Sequence, residues 1–277
     1  MDKSRRGFLK LGFESVVILD LGNSLQTFAA DNFRLPHKNK ISLRFVVASD
    51  GHYGQPQTEY DAHHDEMVNW INAEQQRGVD FTFINGDLFH NDVIFLEQAK
   101  KKWDGLQMPY YVSHGNLDNT SPENWEKVWN MKEEFAFEKG DIGFIVLNTA
   151  DEKVNYICPD LNFAKEQLEK MKSKKHLFVF MHITPMKWTK YGNECPELVD
   201  LFTKQNNLRA VFHGHDHDLD DVKINNGKYY FFDSHIASNW GTAYRGYRIV
   251  EITDSGEVVT YQMNPTEQTK VNTNSIV

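Results

Sequence analysis

Five short polar clusters carry the side chains of a metal centre: Asp50-Gly51-His52, Gly86-Asp87, Gly115-Asn116-Leu117-Asp118, His182, and Gly214-His215-Asp216-His217. Carboxylate, amide and imidazole donors together hold divalent metals through oxygen and nitrogen. Two His separated by one residue in an extended loop, as at His215 and His217, can face neighbouring ions. Taken singly the clusters say less. Gly86-Asp87 alone is a strand-ending turn, because Gly supplies unusual backbone angles and Asp bonds its own backbone. His182 alone is a hydrogen-bonded core residue. Order and joint spacing turn these pieces into one hypothesis, whose test is convergence in space.

The elements that must position them follow from the pattern around each cluster. β-rich segments precede all five, at residues 43–48, 81–84, 109–112, 176–181 and 209–212. The donors therefore sit at carboxyl ends of strands, where open α/β sheets place their ligands. Between them, residues 61–77, 88–103, 122–134 and 162–172 show helical periodicity, the first with Met67, Val68, Trp70 and Ile71 on one side and Gly78 just past its end. Residues 141–147 form a further strand. The end of the chain is strand-rich, with segments 228–233, 244–252 and 258–263 expected to run antiparallel and Asp254-Ser255-Gly256 as a hairpin turn. Alternation followed by strands predicts an α/β fold of two packed mixed sheets flanked by helices. Nothing in residues 31–277 reads as a linker or repeat, so one domain is expected.

The series resembles the calcineurin-like metallophosphoesterases, in which D-x-H, G-D, G-N-H-[DE], lone His and G-H-x-H blocks occur in this order. The resemblance implies an α/β/β/α sandwich and two divalent ions, Mn, Fe, Zn or similar. Carried over by position, Asp50, His52, Asp87 and His217 hold one ion, while Asp87 as the bridge, Asn116, His182 and His215 hold the other. Two such ions share a hydroxide and spread the charge that builds on the phosphoryl oxygens, so small phosphate mono- or diesters are the expected substrates. The departure is Leu117, which stands where the family has a His that assists the leaving group. Candidate replacements are His114, His90 and His235, with Asp118, the family's partner to the missing His, retained. Tyr53, His63, His64 and Trp188 lie near loops after donor strands; they contact substrate or simply pack those loops. The rival expectations are a metal-binding protein whose catalysis has eroded at Leu117 and, less favoured, a nuclease.

Composition sets the remaining bounds. The chain is ordinary for a globular protein, at 40% hydrophobic and 25% charged residues, and its net charge is −9. Non-specific binding of long nucleic acids rests on Lys and Arg neutralising phosphates, so an acidic chain favours small substrates. Ser4-Arg5-Arg6-Gly7-Phe8-Leu9-Lys10 resembles a twin-arginine export signal, followed by an apolar stretch and a small-residue site at Ala29-Ala30. Residues 11–21 are too few to span a membrane, and Glu14 and Asp20 interrupt them. Residues 1–30 are thus expected to direct export to the periplasm; without their four basic and three acidic side chains the charge becomes −10. An oxidising destination makes a disulfide between Cys158 and Cys195, both in loops after strands, the expected state.

Overall fold

The computed structural model describes residues 40–276 and two short antiparallel strands before them, β1 (Ser15–Leu19) and β2 (Leu25–Ala29). Residues 4–10, with the export motif, lie outside the described residues. The body begins β3 (Ile41–Ala48), α1 (Tyr60–Glu74), β4 (Phe81–Asn85), α2 (Leu96–Trp103), β5 (Tyr110–Ser113), α3 (Pro122–Trp129). It continues β6 (Phe135–Lys139), β7 (Ile142–Leu147), α4 (Leu161–Lys170), β8 (His176–Met181), α5 (Pro196–Lys204), β9 (Leu208–His213). Strands β10 (Val222–Asn225), β11 (Lys228–Phe232), β12 (Tyr247–Thr253), β13 (Val258–Asn264) and β14 (Thr269–Ile276) complete it.

Two six-stranded mixed sheets result, ordered β14-β13-β12-β3-β4-β5 and β10-β11-β9-β8-β7-β6. Strand alternation assigns each residue to a layer. In β3, Phe45 and Val47 enter the core between the sheets, while Val46 and Ala48 face the cluster built with Met67 and Ile71 of α1, Trp103 of α2 and Trp125 of α3. The inter-sheet core is largely phenylalanine: Phe83 of one sheet stacks on Phe180 of the other at 3.8 Å, and Phe45 meets Phe144, Phe178 and Phe212 edge-on. Outside the second sheet, Leu168 of α4 and Leu198 and Phe202 of α5 pack on Ile145, Val179 and Val211. The expected sandwich is present, with helices on both outer faces.

Several elements differ from their sequence expectation. The segment 88–103 is helical only from residue 93, in a 3₁₀ turn capped by Asp92 and then α2, because residues 88–90 are held in the site loop by bonds to Tyr53 and Asp118. Helix α3 starts as expected, with Ser121 Oγ accepting from Asn124 N and Pro122 in the first turn, but stops at Asn130, whose φ of 56° is left-handed. Strand β11 is antiparallel to β10 yet parallel to β9, so it is not part of a purely antiparallel run. Among the described residues no helix is long and apolar enough to cross a membrane.

Candidate metal centre

Parallel pairing of β3, β4 and β5 in one sheet and of β7, β8 and β9 in the other brings the carboxyl ends of all five donor strands to one edge of the sandwich. There the loops are tied together by their backbones: Asp50 N donates to Gly86 O, His52 N to Asp87 O, and Gly214 N to His182 O. Four donor residues take left-handed backbone angles, Asp50 (φ 61°), His52 (44°), Asp87 (51°) and His215 (67°). Such angles are uncommon without glycine and concentrate at functional sites. Two glycines make the close approach possible. A Cβ on Gly86 would lie 2.4 Å from His182 Nδ1, and one on Gly115 would lie 2.2 Å from Asp87 N.

The donors converge in two trios, Asp50/His52/His217 and Asp87/His182/His215, all buried, with the ligand atoms in each trio within 4.8 Å of one another. Asp87 Oδ2 faces both trios, 3.3 Å from His182 Nε2 and 3.8 Å from His52 Nε2. The other oxygen, Oδ1, is fixed by Leu117 N at 2.8 Å. His182 Nδ1 donates to Asn85 O at 2.7 Å, which turns Nε2 toward the carboxylates as the nitrogen that ligates once it gives up its proton. His215 Nε2 and Asn116 Oδ1 are buried without a hydrogen-bond partner. Orphaned acceptors at one point are costly unless a cation satisfies them. The residues therefore fit two metal ions, with the mixed oxygen and nitrogen donors suited to first-row divalent metals.

Electrostatics agrees. Burial pushes the Asp50 carboxyl up, but His217 and His182 outweigh it and hold it well below the usual carboxylate range. Asp87 is lowered in the same way, mainly by His182. Burial would push His182 down, yet Asp87 and Asp50 raise it to about 10. Two buried carboxylates thus demand positive charge at this point, which a proton on His182 supplies in the metal-free protein and a dication supplies better. His215 is pushed down to about 4 by burial and stays neutral, the form that ligates.

The structure separates the candidates for the missing acid. His114 is buried edge-on to Trp125, with Nε2 2.8 Å from Asp118 O, so that this nitrogen is engaged by the backbone. The Asp118 carboxylate accepts from Phe89 N (3.0 Å) and Gly115 N (2.8 Å), tying the loops after β4 and β5 together. Burial and the nearby Asp87 push its pKa up against those two bonds. His235 stands beside His217, but both ring nitrogens are engaged, with Ser238 N and Thr242 O. His90 lies 3.4 Å from His52 through their Nδ1 atoms and is half-buried. Burial and His52 push its pKa down.

Other sequence candidates fall elsewhere. His64 is core, bonded to Tyr60 O and packed on Trp103; Tyr53 is buried with its hydroxyl on Asp61; Trp188 packs on Tyr230 and Phe232. A groove of about 650 Å³ between α1 and α2, lined by Tyr53, Asp61, Asp65 and Lys102 among others, contains none of the donors. Three rings that the sequence did not single out do border them: Tyr156 and Tyr191 meet His215 at 5.1 and 5.7 Å, and Trp240 stacks on His217 at 4.2 Å. Their one sequence signal was position in loops after β7, β8 and β11. Cys158 and Cys195 form a disulfide between the first two of these loops.

Residues 43–219 match the family profile described as calcineurin-like phosphoesterase. No curated protein sequence matches the chain. Among solved structures, a dimetal phosphatase from Danio rerio is similar at a TM-score of 0.65 and 10% identity, over 86% of this chain and 99% of that one. A purple acid phosphatase from yellow lupin seeds has a TM-score of 0.61 at 12% identity, over 84% of this chain and 53% of its own. The NAD nucleotidase of Haemophilus influenzae has 0.51 at 14%, over 77% of this chain and 48% of its own. At these identities the likeness is one of fold.

Proposed function

The chain belongs to the calcineurin-like phosphoesterase family, and from that premise we propose that it hydrolyses small phosphate mono- or diesters at a dinuclear centre bridged by Asp87. The observation that carries the reading is the Asp87 Oδ2 position between the two trios, where one oxygen reaches a donor of each. Asp50, His52 and His217 would hold one ion, and Asn116, His182 and His215 the other. When bound, the pair supplies Lewis-acid activation of water and neutralises charge on the phosphoryl oxygens.

What the chain itself contributes is geometry and charge balance. Leu117 N orients the bridging carboxylate, Asn85 O sets the His182 tautomer, and Asp118 locks two donor loops against each other. Asn116 gives a neutral oxygen, which keeps two buried carboxylates from becoming three. Leu117 offers no proton at the usual leaving-group position, so His90, half-buried and next to His52, is our candidate to supply it. The same substitution favours a second reading, a metal-binding protein without turnover. Elemental analysis with a phosphatase and phosphodiesterase panel on purified, metal-loaded protein separates the two: two ions with turnover support hydrolysis, and two ions without it on any ester support the second. The export motif supports periplasmic placement, tested by a double Lys substitution of Arg5 and Arg6, which should trap the protein inside the cell.

A further inference from the structure

The loops that carry Tyr156 and Tyr191 are built to stay together. The first leaves β7 and turns back on itself, with Ile157 N donating to Thr149 O and Asp151 N to Asn155 O. The second leaves β8 and is closed by Asn193 N to Thr184 O and Cys195 N to Pro185 O, with Thr189 Oγ1 accepting from Tyr191 N and Gly192 N. Cys158–Cys195 then joins them a few residues from each ring. A third loop, after β11, brings in Trp240, 5.9 Å from Tyr191. It lies on His217 because Gly241 has φ 128° and a Cβ there would meet His217 Cβ and O at 2.6 Å.

Tyr156, Tyr191 and Trp240 thus form an arc on the His215/His217 side of the donors. Tyr156 and Trp240 each keep 40% of their surface exposed, although His215 and His217 cover part of them. Exposed rings edging a buried polar site are the surface that flat apolar groups seek. Resting on the phosphoesterase reading, we propose that this arc, clamped by the disulfide, binds a flat aromatic group carried by the phosphate ester, so that the preferred substrates are aryl or nucleoside phosphates over aliphatic ones. Leu117 points the same way for aryl esters, since an aryloxide leaves with little help from a proton donor; a nucleoside phosphate leaves as an alkoxide and would draw on His90 for its proton.

Binding of non-hydrolysable phosphonates tests this free of leaving-group effects. Calorimetry on the metal-loaded full chain should find phenylphosphonate bound about 3- to 10-fold tighter than cyclohexylphosphonate. A nucleoside 5′-phosphonate in the same series tells a ring on the phosphoryl group from one held a sugar away. Trp240→Leu and Tyr191→Leu should bring the ratio to about one, and Tyr156→Leu, on an exposed loop, gives the same reading if either fails to fold. Cys158→Ser should lower the ratio without touching a ring. Equal affinity of the two phosphonates, or a ratio unmoved by the three ring variants, overturns the arc; if phosphate esters are still turned over, the phosphoesterase reading survives that result. No binding of any phosphonate and no turnover of any ester removes both.

Discussion

Loss of the Cys158–Cys195 bridge has a magnitude that the structure makes calculable. The cross-link spans 37 residues of sequence, with Cα atoms 5.6 Å apart. Closing a loop of that size removes unfolded-chain entropy worth about 4 kcal/mol at room temperature. Cys195 is buried among Leu198, Met181 and neighbours, so replacing it by Ser would add the cost of burying a hydroxyl; Cys158 is exposed. Cys158→Ser alone therefore isolates the bridge. For a domain of this size each kcal/mol corresponds to about 2–4 °C, which predicts a fall in Tm of about 8–15 °C in scanning calorimetry. Reduced native protein should melt with the variant. A fall below about 3 °C, with the bridge verified in the oxidised parent by thiol titration, would refute the entropic argument and imply that the two loops are already held together when the chain unfolds.

Asp87→Asn should release both metals in elemental analysis, because Asp87 Oδ2 lies 3.3 Å from His182 and 3.8 Å from His52, whereas His182→Ala should release one; two ions retained in Asp87→Asn would contradict the bridge and turn attention to Asp50, whose Oδ1 also lies 3.8 Å from His182. Leu117→His should raise turnover of alkyl esters about 10-fold relative to aryl esters, below the roughly 10²–10⁴ of a well-positioned general acid, because Asp118 is committed to Phe89 N and Gly115 N and does not orient the new ring; an unchanged ratio argues against a missing proton donor. Burial, with Glu134 and Glu152 nearby, raises Glu133 to about 7. Its folded pKa lies above the unfolded value, so its contribution is full below about pH 4.5 and is lost as pH rises through 7. Histidines with lowered pKa, His64, His213 and His215 among them, gain stability over part of the same range, so the quantity to read is the difference between the parent and Glu133→Gln: in denaturant titrations the parent should lose about 2 kcal/mol relative to the variant between pH 4.5 and 7, after allowance for solvent screening of a half-buried carboxyl, and no change in that difference would refute the shift.

Donor chemistry was written locally. Asp, His and Asn types, the glycines beside them and the β-rich runs before them depend on short stretches of chain, so five clusters could be placed at strand ends from residue order alone. Inner and outer faces of β3 likewise follow from alternation at Phe45, Val46 and Val47. Other features needed contacts between distant segments. β12 pairs with β3 across some two hundred residues, and no local pattern encodes that partner. Helical periodicity at 88–92 lost to loop bonds from Tyr53 and Asp118, whose energy exceeds a weak helix preference. The role of Asp118 passed from orienting a side chain to holding two backbones, which only the Phe89 and Gly115 bonds reveal. Tyr156, Tyr191 and Trp240 look like any loop aromatics until three separate loops, two of them joined by the disulfide, place them around His215 and His217. Types and order of the donors belong to the sequence, and the aromatic surroundings of those donors belong to the tertiary structure, because those surroundings come from loops that meet only once the two sheets have packed.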